Sequence, residues 1–229
     1  MRSGRSEESR AEVATEETVA IIMLSIGERP WAKYTKKTFE FYCLRHGYDF
    51  FFVDSQREYD ELDLPALEDA RGRRNKKVYA AKIFLAWKYM ALFGYHRVAV
   101  IDDSCSVTPE CPPVFNLVPY GALGGTETRL RHAKTSFDDI ERFSKGGDRI
   151  VCDTTDYLGG TLLIYSRSMI GAIAPERIRQ AAELLYNPLP HQTLNYYLVK
   201  SGGVDVYKIP REFRRMPGLE LPDSERWSL

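Results

Sequence analysis

Apolar residues along this chain cluster in short continuous runs separated by polar, glycine- and proline-marked breaks, the pattern of strands buried on both faces. The runs are Val19–Ser25 (VAIIMLS), Tyr48–Asp54 (YDFFFVD), Val98–Ile101 (VAVI), Gly121–Gly125 (GALGG), Tyr157–Ser166 (YLGGTLLIYS) and Val204–Ile209. Between them the spacing predicts helices over Pro30–His46, closed by Gly47, over Lys77–Phe93, over Pro175–Tyr186 with proline at its start, and over Pro190–Ser201, closed by Gly202 and Gly203. A short helical turn is expected at Val114–Leu117. Strands alternating with helices of this length place the chain in the α/β class. Residues 1–17, rich in Ser, Arg and Glu, read as a flexible tail, and residues 18–229 as one domain. Residues 129–150 are polar, with Asp138-Asp139 and Gly146-Gly147, and read as a surface excursion.

Two helices carry patterns of their own. Trp31, Tyr34, Phe41 and Tyr42, successively three, seven and one residues apart, read as core rather than as a cofactor box. In Lys77–Phe93 (KVYAAKIFLAWKYMALF), at about 100° per residue Lys77 and Lys88 share a line that marks a solvent stripe, whereas Lys82 points about 140° away from Lys77. A lysine on that face either snorkels to water or meets a negative group.

The chemistry concentrates in VAVIDDSCSV, residues 98–107. Ligands in open α/β sheets are met just beyond the carboxyl ends of the strands, where Asp102 and Asp103 fall. Two carboxylates there suit a divalent cation, and Asp-Asp-Ser is equally good turn chemistry. After the first predicted strand, Ser25-Ile26-Gly27 offers a small residue and a glycine for close backbone approach to a nucleotide, or an ordinary strand-to-helix loop. The basic cluster Arg71, Arg73, Arg74, Lys76 and Lys77 reads as a solvated loop or as a lid over a diphosphate. His46 reads as a helix-end packing residue.

Composition removes several classes. Thirty-two basic and thirty-two acidic residues cancel, which gives no support for a nucleic-acid partner or a membrane surface. No apolar run approaches a membrane span, and no signal-peptide pattern opens the chain, so a cytoplasmic protein is expected. Cys43, Cys105, Cys111 and Cys152 show no C-x-x-C spacing and are expected as reduced thiols. There is no Walker sequence, no G-x-G-x-x-G and no legible Ser-His-Asp set.

The run Lys82…Tyr95-His-Arg-Val-Ala-Val-Ile-Asp102-Asp103-Ser104 resembles the nucleotide-sugar glycosyltransferases of the GT-A fold, in particular the glycogenin and galactosyltransferase-like retaining families. Arg45–Asp54 (RHGYDFFFVD), YLGGT at 157–161 and H-Q-x-L-N at 191–195 resemble further segments of those enzymes. The resemblance implies a Rossmann-like, mixed, mostly parallel sheet flanked by helices. It also implies a retaining hexosyltransferase that takes a UDP- or GDP-sugar to a glycan or protein acceptor with Mn²⁺ or Mg²⁺. On it, Ser25, Ile26, Gly27, Lys82, Asp102, Asp103, Gly159 and Gly160 meet the donor, Asp102 and Ser104 hold the metal, and His191 and Gln192 border the reacting sugar. Thr126-Glu127-Thr128 falls near the same site. Three positions depart from the families' pattern: Ser104 stands where a second aspartate is usual, Gly159-Gly160 replace polar residues, and His191 replaces an acid. No histidine follows the last strand. A non-catalytic relative that binds a nucleotide sugar is the alternative, and a sugar nucleotidyltransferase lacks its glycine-rich basic opening here.

Overall fold

The computed structural model describes residues 17–64, 77–127, 130–144 and 150–210. Six strands form one sheet in the order β2-β1-β3-β5-β4-β6: β1 (Val19–Leu24), β2 (Asp49–Val53), β3 (Arg97–Asp102), β4 (Leu123–Glu127), β5 (Leu158–Ser166) and β6 (Val206–Ile209). β1 runs parallel to β2 and β3, and β4 parallel to β6, while β5 is antiparallel to both β3 and β4. The mixed, mostly parallel α/β sheet expected from the sequence is therefore present. Because β5 alone is reversed, its first residues lie on the same sheet edge as the last residues of β1, β3, β4 and β6.

The continuous apolar runs are explained by two cores, one on each face. Ala20, Ile22, Leu24, Val98 and Val100 face α2 (Lys77–Ala91), α4 (Pro175–Gln180) and α5 (Pro190–Ser201), while Ile21, Met23, Ala99 and Ile101 face α1 (Ala32–His46) and the 107–118 segment. Period-two alternation thus sends Ala20–Leu24 and Val98–Ile101 alternately into one core or the other, which is why these runs carry no polar side chain. α1 ends at Gly47, whose φ of 68° lets it take the left-handed cap that other residues resist. His46 packs between Tyr42, to which its ring is tilted, and Tyr48, on which it stacks, the packing role expected of it.

Four expectations are corrected. α3 (Leu130–Phe143) occupies the stretch read as a surface excursion. It is pinned by buried Ala133, Ser136 and Ile140, an i, i+3, i+7 spacing hidden because the middle position is a serine, whose hydroxyl lies 2.7 Å from that of Tyr157. The helix expected over Pro175–Tyr186 ends at Gln180 and continues as a tighter turn over Ala182–Tyr186, which brings the adjacent Leu184 and Leu185 both into the core. Lys88 is not on a solvent stripe: it is buried and donates to the Glu58 carbonyl (3.1 Å) and to Glu61 (3.2 Å), because the 56–62 segment folds over that side of α2. Of the four aromatics read as core, Tyr42 is core, while Trp31, which precedes α1, and Tyr34 and Phe41 within it are exposed, since the buried face runs through Phe39, Tyr42 and Cys43. The tail 1–16, Arg71–Lys76 and the C-terminal segment from 211 lie outside the described residues. No helix among the described residues is long and apolar enough to cross a membrane.

Candidate functional site

The sheet edge shared by the ends of β1, β3 and β4 and the start of β5 gathers most of the candidate residues. Continuing the alternation of Val98 and Val100, Asp102 faces α2 and forms an ion pair with Lys82. The Lys82 ammonium also donates to the Gly160 carbonyl at 3.0 Å. Lys82 is mostly covered and Asp102 is half-exposed, so the pair closes the mouth of the sheet rather than lying under it. Of the two destinies open to a lysine on that helix face, meeting a carboxylate is the one realised.

Gly160 reaches Lys82 because β5 bulges. Two steps along β4, from Gly125 to Glu127, answer five along β5, from Leu163 to Leu158. Residues 159–162, three more than the single Thr126 opposite them, depart from the regular β4 ladder at the edge. A Cβ at Gly160 would stand 2.5 Å from His191 Nδ1, so the absent side chain is what lets the imidazole approach.

His191 opens α5 and is 4% exposed. Burial first, and the neighbouring Lys82 charge second, hold its pKa well below the ordinary 6.5, so the imidazole is neutral. Its Nε2 and the Gln192 Oε1 are buried with no hydrogen-bond partner among the described residues. α5 is fixed in place by Thr193, bonded to Ser136 (2.9 Å), and by Asn195, which accepts from the Tyr165 hydroxyl of β5 (3.0 Å). Buried polar atoms without partners are uncommon in packed proteins and here sit beside Gly160 and Lys82.

Asp103 turns to different partners. Ser25 Oγ donates to it at 2.7 Å, Trp31 Nε1 at 3.3 Å, and the Arg29 guanidinium stands 3.9 Å away, while the Asp103 carbonyl accepts from Thr35 Oγ1 at 2.7 Å. Its carboxylate clamps the β1–α1 loop, in which Gly27 takes a φ of 87°. Ser25, Ile26 and Gly27 thus lie beside Asp103, whereas Asp102, Lys82, Gly160, His191 and Gln192 form the second group. Ser104 is exposed on the turn that follows. Arg29 and Thr35 were not singled out in the sequence, and Trp31 was read there as core; the Trp indole and Thr hydroxyl seven and eleven residues past the end of β1 carry no periodic signal.

Cys105 follows the turn, its N–H donating to the Asp102 carbonyl (3.0 Å) and its Sγ to the Thr161 carbonyl (3.7 Å). Burial, reinforced by Asp102, pushes its thiol up to about 12, and all four cysteines are free. No group of three or more His, Cys, Asp or Glu side chains able to hold a metal occurs among the described residues. The hard oxygen ligands on offer are the Asp102 carboxylate, one oxygen of which Lys82 occupies, and the Ser104 hydroxyl. Those ligand types suit Mg²⁺ or Mn²⁺ only where phosphate oxygens and water complete the shell.

No family model matches the chain, and no curated protein sequence matches it. Solved structures do. A glycosyltransferase involved in the glycosylation of the major capsid of PBCV-1 superposes with a TM-score of 0.50 at 13% identity, covering 84% of this chain and 83% of that one. The WbbM bifunctional glycosyltransferase superposes with a TM-score of 0.52 at 11% identity, covering 87% of this chain and 40% of that one. The fold is that of glycosyltransferases, consistent with the GT-A architecture.

Proposed function

We propose that the chain is a glycosyltransferase that moves a sugar from a nucleoside-diphosphate sugar, UDP- or GDP-linked, to a hydroxyl of a glycan or other acceptor. The observation that carries this reading is the meeting of Lys82, Asp102 and the Gly160 carbonyl with neutral His191 at the ligand-binding edge of a glycosyltransferase-like sheet. Breaking the bond between the sugar and the diphosphate builds negative charge on the leaving group, and fixed cations and donors at that edge stabilise it. Ser25, Ile26 and Gly27 are assigned to the nucleoside, with Asp103 holding their loop in shape. Asp102 is assigned to the ribose or to a cation, and Lys82 balances Asp102 and the incoming phosphates. Gly159 and Gly160 leave room for the sugar. His191, uncharged and with a free ring nitrogen, accepts a hydrogen bond from a sugar or acceptor hydroxyl, and Gln192 borders the same space.

Mn²⁺ or Mg²⁺ fits this donor set as an ion held by Asp102 and Ser104 together with the donor's phosphates. One carboxylate already paired with an ammonium is too little to retain it alone. When bound, such an ion neutralises the diphosphate as a Lewis acid. Hexosyl specificity and retention at the anomeric carbon are what the resemblance implies.

Thermal unfolding of the protein with UDP- and GDP-sugars, each with and without Mn²⁺, tests the reading, since a ligand of the native state raises the midpoint by mass action. A cation-dependent rise, absent with Mn²⁺ alone, is expected, followed by release of free nucleoside diphosphate with a competent acceptor. Binding without turnover would favour the non-catalytic relative, which the single remaining carboxylate of the acidic motif favours. No stabilisation by any nucleotide sugar would remove both.

A further inference from the structure

On the sheet face opposite Lys82 and His191 lies a cavity of about 370 Å³. Ile21, Ala99, Ile101 and Leu162 of the sheet and Phe39 and Tyr42 of α1 form its walls. The volume is that of a small-molecule site, which commonly starts near 300 Å³, whereas apolar voids left by imperfect packing are smaller. None of the described residues lining it is charged. The Tyr42 hydroxyl is already spent, donating to the Pro112 carbonyl (2.6 Å) and accepting from the Val114 N–H (2.7 Å), so only its ring faces the space. The lining thiols of Cys105 and Cys111 stay protonated because burial raises both. Ser106, Thr108 and Thr161 add hydroxyls to the lining, and one buried polar atom in it lacks a partner among the described residues. Thr126, 7% exposed, lines the cavity with a buried hydroxyl that has no partner among the described residues.

The cavity reaches the candidate site. Thr161, on its rim, follows Gly160 in the β5 bulge, and Cys105, also in the wall, is bonded to the Asp102 and Thr161 carbonyls. A charged diphosphate has no counterpart in this lining, and a free sugar, with hydroxyls all round, would leave most of them unpaired. We propose that the cavity seats the apolar body of a neutral acceptor, an alcohol or phenol, whose hydroxyl emerges at the Asp102–Gly160 edge while Thr126 bonds a second polar group within. This rests on the sugar-transfer reading.

Binding of 2-naphthol, followed by its fluorescence and by its effect on thermal unfolding, tests the inference. Saturable binding is expected for the native chain. Ala99→Leu, which fills the void, should weaken it by at least about tenfold, the loss of most apolar contact. Thr126→Val, which keeps the shape and removes the hydroxyl, should weaken it about two- to tenfold, one hydrogen bond's worth. UDP binding should be unchanged in both variants. No saturable naphthol binding, or binding untouched by both substitutions, would overturn the proposal. Naphthol binding that follows the substitutions, in a protein that binds no nucleotide, would overturn the acceptor role and leave a neutral-ligand site.

Discussion

Replacing Gly160 by alanine probes the closest approach in the candidate site. The added Cβ would stand 2.5 Å from His191 Nδ1, 3.2 Å from Cε1 and 3.7 Å from Gln192 Cγ, where ordinary contact begins at 3.4 Å. The φ of Gly160 is not positive, so alanine meets no backbone strain there and gains about 0.4–1 kcal/mol by stiffening the unfolded chain. Against that stands the imidazole, buried at the start of α5, which must move for the methyl to enter; overpacking of this kind costs about 1–3 kcal/mol. The net is a loss centred on about 1 kcal/mol and at most about 2.6 kcal/mol, or a fall of up to about 10 °C in Tm for a chain of this length. Urea and thermal unfolding of the native chain, Gly160→Ala, His191→Ala and the double variant measure it. The alanine should cost at least about 1 kcal/mol less once the imidazole is gone, because the two groups touch. An equal cost in both backgrounds, or no cost in either, would show that His191 does not pack on Gly160 and would undo the geometry assigned to this edge.

Other outcomes follow from the same contacts. Asp103→Ala strands the buried Ser25 hydroxyl and the Trp31 indole N–H, and should cost about 1–3 kcal/mol in urea unfolding, with Asp103→Asn recovering part of it; an unchanged midpoint would refute the clamp. His191 has a native pKa below the 6.5 of the unfolded chain, so the unfolded state takes up its proton first; stability is full above pH 6.5 and declines as pH falls below it. In His191→Gln the decline between pH 7.5 and 5 should be shallower, as read from urea midpoints. Burial raises all four thiols, Cys105 to about 12, so Ellman's reagent at pH 8 should label the native chain slowly and the unfolded chain at once; rapid native labelling would contradict the burial.

What local pattern could determine, it did. Continuous apolar runs at Val19–Leu24 and Val98–Ile101 required strands covered on both faces, Gly47 marked the end of α1, and the angular offset of Lys82 from Lys77 required either solvent or a negative partner. Asp102 at the end of a buried strand was likewise legible as a residue at a ligand-binding edge, because sheet geometry alone puts it there. Tertiary structure decided the rest. The same adjacent aspartates were parted, Asp102 to Lys82 and Asp103 to the loop that starts at Ser25, and the same helix sent Lys88 under Glu58 and Glu61. The bulge that brings Gly160 to Lys82 lies where β5 pairs with β4, and that pairing is a matter of strand order that no window of sequence contains. Ser25 and Asp103 are 78 residues apart, as are Lys82 and Gly160. Periodicity reports which face of an element is buried, whereas the partner met across such a distance is chosen by how the elements are stacked.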